Sequence, residues 1–126
     1  MRFWSLMFIS LAALSASSVF AAGVTKKYQQ CMTGTYGNTD TIQGCIKDEL
    51  KIQEKSLDKY YKKYLKNSGE FEANYITQHK LWAFRVNNVC GSNTVSVHAV
   101  IQQQQCILGM TADRAEFYKN KTRRFE

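Results

Sequence analysis

Proline is absent from all 126 residues. A loop-rich disulfide scaffold usually fixes some of its turns with proline, whereas helix interiors exclude it, so its absence favours a helical fold. Histidine is scarce. His79 and His98 stand on separate segments, and no HExxH or CxxC spacing occurs, which removes the common zinc motifs. A Cys–His nucleophile is not expected either, because the cysteines are read as paired. There is no Gly-rich phosphate loop, and the carboxylates follow helical salt-bridge spacing, not that of a catalytic acid–base pair. The chain is therefore read as a non-enzyme with no catalytic residue, metal site or cofactor.

Long apolar runs are confined to the N-terminus. Met1–Ala21 has a basic start at Arg2, an apolar run from Phe3 to Leu14, and a small-residue exit at Val19-Phe20-Ala21. That is the geometry of a cleavable secretory leader, with Ala22 as the expected mature N-terminus. The run is too short and Ser-rich to span a membrane comfortably, and no second one follows. No cysteine stands at the cleavage site, so a lipid anchor is not indicated. Residues 22–126 then form one domain of about 105 residues, exported to the periplasm or beyond. In that oxidising setting Cys31, Cys45, Cys90 and Cys106 are read as two disulfides.

The formal charge is +7, and loss of Arg2 with the leader lowers it by one. Exported disulfide proteins seldom meet nucleic acid, so the excess points to anionic lipid, anionic polysaccharide or an acidic protein, or to a solvated lysine surface.

Ala22–Asn38, punctuated by Gly23, Gly34 and Gly37, reads as an arm holding Cys31. Thr39 or Asp40 is expected to cap a helix over about 40–67. At 100° per residue, Ile42, Ile46, Leu50, Leu57, Tyr60, Tyr61 and Tyr64 share one face. Lys47, Lys51, Lys55, Lys59, Lys62, Lys63 and Lys66 share the opposite one, a candidate face for an anionic partner. Asp58 lies four residues before Lys62, where an ion pair can form. A second helix is expected over about 71–90, with Phe71, Tyr75, Gln78, Trp82, Arg85 and Val89 on an inward stripe and Trp82 mostly buried. A third is expected over about 97–121, with Val100, Gln104, Ile107, Thr111, Arg114 and Tyr118 inward and Gly109 marking a close approach. Short connections make neighbours antiparallel. The expected fold is all-α, a three-helix up-down-up bundle with a disulfide-tethered N-terminal arm.

Gln78, Arg85, Thr111 and Arg114 stand where a simple core would place leucine. A buried guanidinium needs a carboxylate or several carbonyls, and Asp58 and Glu54 are the expected partners. An arginine beside tryptophan and tyrosine can instead lie on an aromatic face.

Cys31, Thr39, Cys45, Asp58 and Tyr61, then Gln78-x3-Trp82-x2-Arg85-x4-Cys90 and Cys106-x4-Thr111-x2-Arg114, resemble the LprI-type lysozyme-inhibitor domain over nearly the whole mature chain. The resemblance implies a small exported helical module with two disulfides. It makes Asp58, Tyr61, Gln78, Trp82, Arg85, Thr111 and Arg114 family-motif residues, structural or binding, and lysozyme or another secreted hydrolase the partner. Two pairings suit the helical layout: local bridges, or Cys45–Cys90 with Cys31–Cys106 across a hairpin turning near Gly69. The resemblance points to Cys31–Cys45 and Cys90–Cys106. Inhibition is expected to work by occluding the enzyme's cleft. The alternative is an envelope module that binds anionic lipid or polysaccharide through the lysine face.

Overall fold

The structure, a computed structural model, describes residues 23–91, 93 and 95–125. The expected leader and its cleavage site lie outside the described residues. All regular structure among those residues is helical, with no strand: α1 (Lys26–Thr33), α2 (Thr39–Lys66), α3 (Glu72–Cys90) and α4 (Val97–Thr122), with 3-10 turns at Gly69–Phe71 and Arg123–Phe125. The three-helix expectation is corrected by α1, which forms inside the segment read as an arm. The glycines that suggested a loop lie outside it. Thr25 caps its first turn by accepting from the Tyr28 N–H at 3.2 Å.

Side-chain caps set two other helix starts. Asn38 Oδ1 accepts from Thr41 N at 2.9 Å, so Asn38 caps α2, not Thr39 or Asp40 as expected. Ser96 Oγ accepts from Ala99 N at 3.2 Å. Each satisfies an amide that the helix itself leaves unpaired. Between α2 and α3 the chain reverses at Gly69, whose φ of +55° suits glycine.

α2 and α4 pack along their length. Ile46, Ile101 and Leu108 form an aliphatic core at one end, joined by Tyr28, Ile42 and Leu50. At the other end Tyr61 and Tyr64 meet Tyr118 at ring separations of 5.1 and 5.2 Å. Disulfides join Cys31 to Cys45 and Cys90 to Cys106, with Cα separations of 5.7 and 5.5 Å. Each closes a local loop, which limits the unfolded chain by about 3 kcal/mol on entropy grounds.

The inward faces differ from the periodicity reading in a consistent way. On α3 the buried residues are Val86 and Cys90, with Tyr75, Ile76, His79 and Trp82 partly covered, while Gln78, Arg85 and Val89, and Phe71 in the turn before it, are exposed. The bond from Cys90 to α4 fixes this rotation: Val86, one turn earlier, must face inward, and Arg85 and Val89 turn away. On α4 the buried row is Ile101, Leu108, Thr111, Ala112, Ala115, Tyr118 and Thr122. Small Ala112 and Ala115 line a recess shared with Gly23 and with Ile52, Gln53 and Ser56 of α2. Gly109 marks no close approach, since a Cβ there would meet nothing within 4 Å.

α2 also buries two polar residues. Glu49, 2% exposed, accepts from Thr25 N at 2.8 Å and Thr25 Oγ1 at 2.6 Å. Gln53 Nε2 donates to Glu49 Oε1 and to the Gly23 carbonyl, both at 2.8 Å. This network and the Cys31–Cys45 bridge hold α1 on the bundle. α1 has no buried residue of its own.

Candidate functional site

Three of the motif residues, Tyr61, Trp82 and Arg114, converge on one aromatic cluster. Tyr118 of α4, 1% exposed, is its centre. Its hydroxyl meets His79 Nδ1 at 2.9 Å and accepts from Arg114 Nη2 at 3.0 Å. Tyr61 stacks on His79 with centroids 3.9 Å apart and planes 15° from parallel. The Arg114 guanidinium lies over the rings of Phe117, Tyr118 and Trp82 at 4.7, 4.8 and 5.7 Å. Expected carboxylate partners are thus replaced by aromatic faces, whose negative quadrupoles attract the cation. Asp58 pairs with Lys62 at 2.8 Å instead, and Glu54 is exposed. Arg114 Nε is buried with no acceptor, so the stack and the Tyr118 hydroxyl hold the side chain.

The electrostatics fit a structural cluster. Burial, then the nearby Arg114 charge, lowers the His79 pKa from its ordinary 6.5, which favours the neutral ring. Burial raises Tyr118 against the opposing pull of Arg114. Tyr64 is pushed up to about 12, by burial first and then by its hydrogen bond with Tyr75. These phenols stay protonated at neutral pH and serve as packing and hydrogen-bonding groups. Trp82, expected to be mostly buried, is only half-buried and lines a shallow groove of about 210 Å³ with Met110, Asp113, Arg114 and Phe117.

Tyr61, Trp82 and Arg114 are therefore brought together, and Thr111 is buried on the inward face of α4. Asp58, Gln78 and Arg85 are not gathered in: all three are exposed, and Gln78 reaches only Asn74, at 3.3 Å. Lys47, Lys51, Lys55, Lys59, Lys62 and Lys66 are exposed along α2, and Lys63 is half-buried. Apolar side chains also reach solvent: Leu81 is 60% and Phe84 64% exposed on α3.

Sequence reasoning missed three residues. His79 sits four positions after Tyr75 and three before Trp82, a helical spacing that signals a shared face. Glu49 carried no signal beyond its place between Ile46 and Leu50. Tyr36, in the turn between α1 and α2, is 96% exposed and has a positive φ of 46°.

Among the described residues no group of His, Cys, Asp and Glu is placed to hold a metal ion. No helix among them is long and apolar enough to cross a membrane. No curated protein and no solved structure matches the chain. A family model described as Lysozyme inhibitor LprI matches residues 31–117, a span that includes all four cysteines and the motif residues from Asp58 to Arg114. The family is one of inhibitors, not enzymes, and over that span the chain belongs to it.

Proposed function

We propose that this protein is exported, loses residues 1–21, and inhibits a lysozyme by occluding its substrate cleft. Family membership over residues 31–117 carries the reading. The two disulfides support it, both as a mark of an oxidising compartment and as a source of rigidity, because a preorganised surface loses little entropy on binding. Charge sets a condition on the mechanism. Familiar animal lysozymes are basic, and so is this chain, so the two repel at long range. Contact must be made away from the lysine row of α2, through neutral or apolar surface such as the Leu81 and Phe84 face or the turn at Tyr36.

Oxidised protein should slow the clearing of a cell-wall suspension by at least one lysozyme at a near-stoichiometric ratio, and reduction should abolish the effect. Chicken-type, goose-type and invertebrate-type enzymes form the panel. No inhibition of any of them rejects the reading. The exposed lysine row supports a second one, an envelope module for anionic lipid or polysaccharide. Salt-dependent binding to anionic vesicles without inhibition would favour it.

A further inference from the structure

We propose that the turn between α1 and α2, residues 34–38, is the segment that enters the target's cleft, with the Tyr36 ring as its tip. The inference rests on the lysozyme-inhibitor reading and names the part that carries it out.

Tyr36 is 96% exposed, so its ring does almost nothing for the fold. Its φ of +46° and that of Gly37, +78°, put two consecutive residues in the left-handed region. Side chains with a Cβ are disfavoured there, and asparagine or glycine would suit the backbone better. A large aromatic ring held in water on a disfavoured backbone is explained by a contact outside the molecule.

The turn is also tied down at both ends. Thr35 beside the tip is buried, and its hydroxyl donates to the Met32 carbonyl at 2.8 Å. Asn38 N donates to the Thr35 carbonyl at 2.9 Å, while the Asn38 side chain caps α2. The Cys31–Cys45 bridge closes the base of the turn. Little further ordering is needed on binding.

The chemistry suits a glycan cleft. No charged residue stands between Lys27 and Asp40, so in a net-basic protein this tip approaches a basic enzyme without a cation of its own at the contact. A phenol offers a flat apolar face and one hydroxyl at its end. Such a shape can occupy a subsite built for a pyranose ring, which likewise presents a flat face and hydroxyl groups. The partner is therefore the sugar-binding cleft of a cell-wall hydrolase.

Tyr36→Asn keeps a residue tolerant of the left-handed backbone and removes the ring, and Tyr36→Phe keeps the ring. The Asn variant should inhibit lysozyme at least about 10-fold more weakly, as for a hot-spot aromatic. The Phe variant should stay much closer to the original. The Asn variant should also melt a few degrees higher, because backbone strain is relieved. Inhibition by Tyr36→Asn within about twofold of the original overturns the proposal, and so does a lower melting temperature for that variant. If the original protein inhibits none of the three lysozyme types while Tyr36→Asn melts higher, the lysozyme reading falls alone. The tip then still stands as a contact kept at a cost in stability.

Discussion

Tyr118→Ala should destabilise the fold by about 3–5 kcal/mol, the cost of emptying a fully buried aromatic site. The ring is 1% exposed and touches both neighbouring helices, through Tyr61 and Tyr64 on α2 and His79 on α3. α3 buries only Val86 and Cys90 fully, so the cluster is its main anchor away from the disulfide. The milder Tyr118→Phe keeps the ring and removes the hydroxyl that serves Arg114 and His79, and should cost about 1–2 kcal/mol. Urea unfolding monitored by circular dichroism gives both values. An alanine variant within about 1 kcal/mol of the original would contradict the placement of Tyr118 at the centre of the core.

Glu49→Ala should cost roughly 3 kcal/mol, because it strands Thr25 N, Thr25 Oγ1 and one hydrogen of the Gln53 amide together. Glu49→Gln should cost less. One oxygen remains to accept from Thr25 N and Gln53; the new amide NH2 can donate to Thr25 Oγ1, whose own hydrogen must find another acceptor. The damage should be local before it is global. Amide exchange over residues 26–33 should speed up while that of α4 stays slow, since α1 has no buried residue of its own. Since α1 forms one side of the Tyr36 turn, the alanine variant should also inhibit lysozyme less well. Uniform acceleration across all helices would mean that Glu49 supports the whole bundle and not the attachment of α1.

The three long helices were legible because the sequence marks them plainly, whereas α1 was not, because the glycines on either side of it made residues 22–38 read as an arm. The lysine row and the Ile42–Ile46–Leu50 face fix α2 to within a residue or so at each end, and the residue pattern around Gly69 locates the reversal. Rotation of α3 was not legible. The heptad-like stripe from Phe71 to Val89 is not the inward one: Leu81, Phe84 and Val89 leave apolar side chains in solvent, and the Cys90 bond decides the face. Arg114 was half legible. Its need for compensation followed from burial, but acidic residues and aromatic rings can both meet that need. Tyr36 gave no signal at all, because a lone tyrosine among glycines and threonines reads as an ordinary loop residue until its backbone conformation is known. The LprI resemblance itself was legible, since it rests on spacings between cysteines, tryptophan and arginine that survive in one dimension.

The central claim, that the protein occupies a lysozyme's sugar-binding cleft, is tested most directly by competition. A lysozyme that the protein inhibits is titrated with a short chitin oligosaccharide, a ligand of that cleft, at increasing fixed concentrations of the oxidised protein. Mutually exclusive binding is predicted, with the apparent dissociation constant of the oligosaccharide rising linearly with the free protein concentration and without a plateau. An oligosaccharide affinity that stays constant while lysis is still inhibited would mean a ternary complex, and would place the inhibitor outside the cleft.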